Sequence, residues 1–215
     1  MHLGLPLDVE ALLIIEADGV DEDSVEKEMR TIAEICRQTG AREVEVARGQ
    51  ADRDRLWAAR RAIGPSLARR RPNKLGEDIS LPRAAIPEGI RRIKDISRKH
   101  NLPIAVFGHA GDGNLHPNIL FDRRDAEEWT RVEAAAAEIF AAAIELGGTI
   151  TGEHGVGTLK LPFLVDAVGP VAVDVMRSIK RALDPLGILN PGKIFLLEPG
   201  ESATPARQPA AVAGG

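Results

Sequence analysis

Aromatic residues make up only 3% of this 215-residue chain, and its Lys and Arg are spread along a sequence whose formal net charge is -4. A nucleic-acid-binding protein would show a basic footprint or aromatic stacking platforms, and neither is present. There is one cysteine, Cys36, on a predicted helix, which excludes an internal disulfide and suits a reducing compartment, with the thiol expected buried and inert. Long hydrophobic runs are also missing. The alanine-rich stretch at 134–146 is broken by Glu138 and Glu145 and falls short of the roughly 20 apolar residues of a membrane-spanning helix. The apolar runs at 3–7 and 11–15 are interrupted by Asp8 and Glu10 with no basic residues before them, so they do not read as a signal peptide. Phosphate cradles are absent too: Gly111-Asp112-Gly113 lacks the third glycine of a dinucleotide fingerprint, and no GxxxxGK[ST] occurs.

What is there suffices for a folded core, since 44% of the residues are hydrophobic. The apolar run at 11–17 ends at Asp18-Gly19 and predicts a buried strand. Ser24 is placed to cap a helix that runs to Gln38 and stops at Gly40, and the alternation at 42–47 predicts a second strand. Residues 52–71 predict a helix that Gly64-Pro65 should kink or divide. Further strands are expected at 78–81, 104–107 and 115–121, with helices at 87–100, 126–146 and 170–183. In the 115–121 strand His116, Asn118 and Leu120 share one face, Leu115, Ile119 and Phe121 the other. The short strands and turns suggest antiparallel pairing with helices on one face, an α+β fold. From Glu198 onward only Pro, Ala, Gly and Ser patterns remain, which predicts a disordered tail over 198–215.

Two glycine-rich segments carry the chemistry. In GHAGDGNLHPN (108–118), His109 and His116 flank Gly111-Asp112-Gly113-Asn114; in TGEHGVG (151–157), Glu153 and His154 lie between glycines that let backbone approach a small ligand. Two imidazoles and a carboxylate make a two-histidine, one-carboxylate set that leaves coordination positions open on a divalent ion. Of Glu153 and His154, one would ligate and the other move protons. Either histidine alone reads as well as a satisfied structural side chain, and neither spacing is a zinc-finger or HExxH pattern. Arg60, one turn after Trp57, is suited to a bidentate contact with a substrate carboxylate or to a solvated surface charge. Asn190 and Lys193 in NPGK also read as turn and surface residues.

Taken together and in order, GHAGDGNLHPN, GEHGVGTLK (152–160) and LDPLGILNPGKIF (183–195) resemble the C-terminal domain of FAD-linked oxidases in the vanillyl-alcohol oxidase superfamily, nearest the glycolate oxidase D subunit and D-lactate dehydrogenase group. The resemblance runs from about Ala11 to Phe195. It implies a cap or substrate domain over 1–197, built as duplicated ferredoxin-like α+β units with an antiparallel sheet and helices packed on it. A separate FAD-binding domain or subunit, outside this chain, would hold most of the FAD. By the same resemblance His109, His116 and Glu153 ligate a divalent metal (Zn, Mn or Fe), His154 is the catalytic base, Arg60 and Asn118 contact substrate, and Asn190 meets the flavin. A lysine of the family pattern falls at Gly76 here, with Lys74 displaced from it. The implied reaction is oxidation of a D-2-hydroxy acid such as glycolate or D-lactate to the 2-oxo acid, with hydride passing to the flavin and on to an electron acceptor that these residues do not identify. The other readings are an inactive stand-alone binding module and a truncated gene product. A cytoplasmic location is expected, with peripheral attachment to the inner membrane through partners.

Overall fold

One strand, Asn114–Phe121, is buried along all eight of its residues, and the sheet that carries the glycine-rich motifs is assembled around it. The computed structural model describes residues 6 and 8–195, which divide into two compact units on either side of a boundary between Ser66 and Leu67. The expected tail at 198–215 lies outside the described residues, as does most of the apolar run at 3–7.

In the first unit, helix α1 (Glu22–Gln38) is capped by Asp21 rather than Ser24. The Asp21 carboxylate accepts the Ser24 amide at 2.8 Å and its hydroxyl at 2.7 Å, so an anion sits at the positive end of the helix. Gly40, at φ 92°, follows the C-terminus as expected. Cys36 is half-buried, not fully enclosed. Helix α2 (Gln50–Arg70) continues through Gly64-Pro65 as one helix, so of the kink or division that the sequence predicted, the division does not occur. The two strands expected at 11–17 and 42–47 do not form. No ladder is found among the described residues of this unit, and Leu12, Leu13, Ile15 and Val46 are exposed. Apolar alternation proposes a strand, but only a hydrogen-bonded neighbour makes one. The duplication implied by the resemblance is therefore not expressed as a second sheet among the described residues.

The second unit has the antiparallel sheet with packed helices that the α+β reading calls for. β1 (Asn73–Gly76) and β2 (Ile79–Ser80) pair end to end along one edge of β4 (Asn114–Phe121), and β3 (Ile104–His109) pairs along the other. β1 was not anticipated; its NKLG sequence has little strand character and is held by its register, Asn73 opposite Phe121 and Gly76 opposite Asn118. The two faces of β4 separate as the alternation requires. Leu115, Ile119 and Phe121 join Ile79, Ile93 and Ile96 in a core closed by α3 (Ile86–His100) and α4 (Ala126–Glu145). On α4, Ala135, Ala136 and Ala143 alternate with Ile139 and Phe140 on the buried side, small residues that let the helix lie close to the sheet. Asp125 caps this helix by accepting the Glu128 amide at 3.0 Å. Two further helices, α5 (Leu164–Val168) and α6 (Pro170–Leu183), follow, and α6 buries only Val173.

The β3–β4 hairpin turns on Gly113, whose φ is 77° and whose missing side chain admits close backbone contact: a Cβ there would lie 2.0 Å from the Leu81 carbonyl oxygen. That oxygen belongs to the residue whose amide donates to Gly113 O at 2.9 Å, so neither partner can withdraw cheaply. Gly113→Ala should lower the free energy of unfolding by about 1–3 kcal/mol or more, measured by chemical denaturation. An unchanged midpoint would show that the hairpin is not held as described.

Candidate active site

His109 is the last residue of β3 and His116 the third of β4, and the ladder sets Phe107 against His116 and His109 against Asn114. This register makes the two histidines diagonal neighbours on the face of the sheet turned away from the helices, with ring centroids 5.6 Å apart and nearly perpendicular. Glu153 arrives from the loop at 151–155 and spans both. Its Oε1 lies 3.6 Å from His109 Nε2 and its Oε2 3.6 Å from His116 Nε2. One donor atom from each of the three residues falls within 4.8 Å of the others. Donors about 2.0–2.2 Å from a shared ion stand a little over 3 Å apart, so the set must draw in from separations of up to 4.8 Å to bind one. His154, next in sequence, lays its ring on His116 with centroids 5.2 Å apart and planes 22° off parallel.

Burial divides the group. His116 is 7% exposed, while His109, Glu153 and His154 remain open to solvent. Burial holds the His116 imidazolium below the usual histidine range, and the charge of Glu153 only partly opposes it. His116 is therefore a neutral nitrogen donor at neutral pH, the form that ligates metal.

The loop that presents Glu153 and His154 is built on a carboxylate that sequence reasoning missed. Asp78, just before β2, has no solvent exposure. Its Oδ2 accepts the amides of Gly152 and Glu153, each at 2.6 Å, and of His154 at 3.1 Å. Thr151 Oγ1 donates to the same carboxylate at 3.2 Å, and Lys160 Nζ donates to its Oδ1. Lys160 is itself 2% exposed, donates also to the Asp78 carbonyl at 3.1 Å, and stands 3.3 Å from Glu77 Oε2. Burial alone would raise the Asp78 carboxyl, but Lys160 and the three loop amides outweigh it and hold it well below the usual carboxylate range. For Glu77 burial wins and the carboxyl is pushed up. The available sequence signal was an acidic pair, Glu77-Asp78, leading into an apolar strand.

Glycines make the close approach possible. A Cβ on Gly152 would lie 2.5 Å from Ser80 Oγ and 2.8 Å from Asn114 Cγ. Reciprocal Ser80–Thr149 backbone bonds of 3.0 and 2.8 Å tether the start of the segment to β2.

Asn118 is 2% exposed, on the same strand face as His116, and its Nδ2 donates to the His116 carbonyl at 2.8 Å. Lys74, displaced in sequence from the expected lysine place, still reaches this position. Its Nζ lies 3.5 Å from Asn118 Oδ1, passing beside Gly76, whose absent Cβ would stand 3.1 Å from the same oxygen. Arg60 lies on α2 in the first unit and is not among the residues the second unit gathers. Asn190 sits in the loop after α6 at φ 48°, where its carbonyl accepts the Lys193 amide at 3.2 Å. The Ile194 amide donates to Gly157 O at 3.0 Å, which ties that loop to the segment following His154.

Because the folded state holds Asp78 below its unfolded value of about 3.9, the stability it contributes is fully present above that pH and is lost as the pH falls below it. Thermal melts should show a decline on acidification from about pH 4 downward. Asp78→Asn should start about 3–5 kcal/mol less stable at neutral pH, having left Lys160 short of a counter-charge, and lose less on acidification. Equal acid slopes in the two proteins would contradict this.

The family described as FAD linked oxidases, C-terminal domain, matches residues 1–194. Glycolate oxidase subunit GlcD of Bacillus subtilis is 47% identical over 193 residues, 90% of this chain and 41% of that protein. The GlcD subunit of Escherichia coli K12 is 37% identical over 193 residues, covering 90% of this chain and 38% of its own length. A probable mitochondrial D-lactate dehydrogenase of Danio rerio is 34% identical over 187 residues, covering 86% of this chain and 37% of its own length. The chain thus spans about two fifths of the curated relatives it matches. Among solved structures, p-cresol methylhydroxylase with substrate bound shares the fold at a TM-score of 0.52 and 16% identity, over 81% of this chain and 36% of that one. A profile match over nearly all the described residues, on a chain whose glycine-rich motifs converge on one face of one sheet, places this protein in the FAD-linked oxidase C-terminal domain family.

Proposed function

We propose that this chain is the substrate- and metal-holding part of an FAD-dependent enzyme that oxidises a D-2-hydroxy acid, of the glycolate or D-lactate type named in its relatives, to the 2-oxo acid. The observation that carries the reading is the convergence of His109, His116 and Glu153 within one ion's reach, with the His154 ring stacked beside them. When bound, a divalent ion (Zn, Mn or Fe) supplies Lewis-acid polarisation of the substrate hydroxyl, and FAD, held mainly by a domain or subunit outside this chain, supplies the hydride acceptor. His109, His116 and Glu153 hold the ion. His154 takes the hydroxyl proton as general base. Asn118 and Lys74 offer an amide and an ammonium to the substrate carboxylate from the adjoining stretch of the same sheet face. The roles of Arg60 in substrate binding and Asn190 beside the flavin rest on the family resemblance.

The surface favours a part of an assembly over a free-standing binding module. Val171, Val175, Ile179 and Leu183 on α6 are exposed, as are Leu186, Ile188 and Leu189 after it, an apolar content that monomeric surfaces seldom leave uncovered. No helix among the described residues is long and apolar enough to cross a membrane.

The chain, reconstituted with zinc, manganese or iron and then desalted, should retain about one divalent ion by elemental analysis, and Glu153→Gln should retain much less. No bound ion in the wild type would sink the metal assignment. In the assembly with its FAD-binding partner, His154→Ala should reduce turnover by roughly 10²–10⁴-fold while leaving the metal in place. Wild-type turnover in that variant would move the base elsewhere. Alone, the chain should oxidise neither glycolate nor D-lactate and should bind FAD weakly. Isolation of a yellow, substrate-bleachable chain would overturn that expectation.

A further inference from the structure

We infer that Asp78 is the positioning residue of this site: its one carboxylate holds the 152–154 backbone through three amides and keeps the imidazole proton of His154 on Nδ1, leaving Nε2 as the basic nitrogen. The inference rests on the reading of His154 as proton acceptor and adds what makes it one.

Three observations support it. First, the amides of Gly152, Glu153 and His154 all converge on a single oxygen, Asp78 Oδ2, at 2.6, 2.6 and 3.1 Å. Successive amides aimed at one anion fix the direction in which the side chains between them leave the backbone. Glu153 therefore leaves toward the two histidines by construction of the loop and not by its own contacts, which are no shorter than 3.6 Å. Second, the other carboxylate oxygen, Oδ1, stands 3.6 Å from His154 Nδ1, longer than a hydrogen bond but close enough for its charge to act on the ring. A lone pair on Nδ1 would face a buried anion, whereas an N–H there faces it favourably, so the neutral ring places its proton on Nδ1. Third, the anion is paired where it is buried. Lys160, itself 2% exposed, donates to Oδ1, so the carboxylate keeps its place and its charge beside the His154 ring.

The arrangement also separates two tasks. Lys160 neutralises the charge that the fold must bury, with Glu77 3.3 Å away on its other side, while the loop amides and the His154 ring use the directionality of that same charge.

The test uses the metal-free 215-residue chain with ¹⁵N-labelled histidine, at a pH about two units above the unperturbed imidazole value of about 6.5. Unconstrained histidine favours the Nε2–H form, so a dominant Nδ1–H form at His154, assigned by its loss in His154→Gln, is the expected result. Asp78→Asn can fail to fold because Lys160 loses its partner, so the double variant Asp78→Asn/Lys160→Met removes both charges together. In that folded double variant, checked by circular dichroism, His154 should revert toward Nε2–H, and zinc affinity by competition with a chelating dye should fall about 10–100-fold. Wild-type His154 in the Nε2–H form, or a double variant that keeps both the Nδ1–H form and full zinc affinity, would overturn the inference. Because neither readout needs FAD or turnover, its failure is distinguishable from a failure of the proposed reaction.

Discussion

A carboxylate with no water around it must find a donor for nearly every lone pair, and Asp78 does so with five: three consecutive amides, a threonine hydroxyl and a buried ammonium. That requirement binds together segments far apart in sequence. The residue before β2, the loop that carries Glu153 and His154, and Lys160 after it are all held to one point. Isolated burial of this anion would be strongly unfavourable; with every partner in place it becomes a constraint that only one loop conformation satisfies. The functional side chains then occupy the positions left to them.

The sheet supplies the rest of the geometry. β4 is the strand to which all others pair, and its alternation sends leucine and isoleucine into the helical layer while His116 and Asn118 take the opposite face. The β3 register brings His109 alongside, and the β1 register brings Gly76 opposite Asn118, leaving room for the Lys74 ammonium. Two charge environments thus lie a few residues apart on one surface. One is the donor cluster of two imidazoles and a carboxylate; the other pairs a lysine with a buried amide. The hydroxyl and carboxylate of the proposed hydroxy acid ask for different partners, and the proposal assigns one environment to each.

Much of this was legible in the sequence, for reasons that particular residues make plain. α3, α4 and α6 were readable because proline openings, a glycine stop and long apolar periodicity are local signals, and they came out within a residue or two. The two faces of β4 followed from strict alternation. The clustering of His109, His116, Glu153 and His154 was expected from glycine-rich spacing and the family resemblance, and the ladder and loop bring them together. The strands at 11–17 and 42–47 were misread because alternation does not reveal whether a pairing partner exists. β1 was missed for the converse reason, since its partner makes it a strand and its NKLG sequence does not. Asp78 and Lys160 escaped notice because their significance is tertiary: they are 82 residues apart, and the one local signal was the acidic pair Glu77-Asp78 ahead of an apolar strand. The Asp21 cap lost to Ser24 in the reading only because both are good capping residues three positions apart.

The central claim, that the loop is held by a buried anion and not by the side chains it displays, is tested most directly by amide hydrogen exchange at Gly152, Glu153 and His154 in the metal-free chain. The account predicts protection at these three loop amides comparable to that of the β3–β4 ladder, since each donates to a carboxylate with no solvent exposure. Exchange at the rate of an open glycine-rich loop, with the ladder still protected, would contradict it.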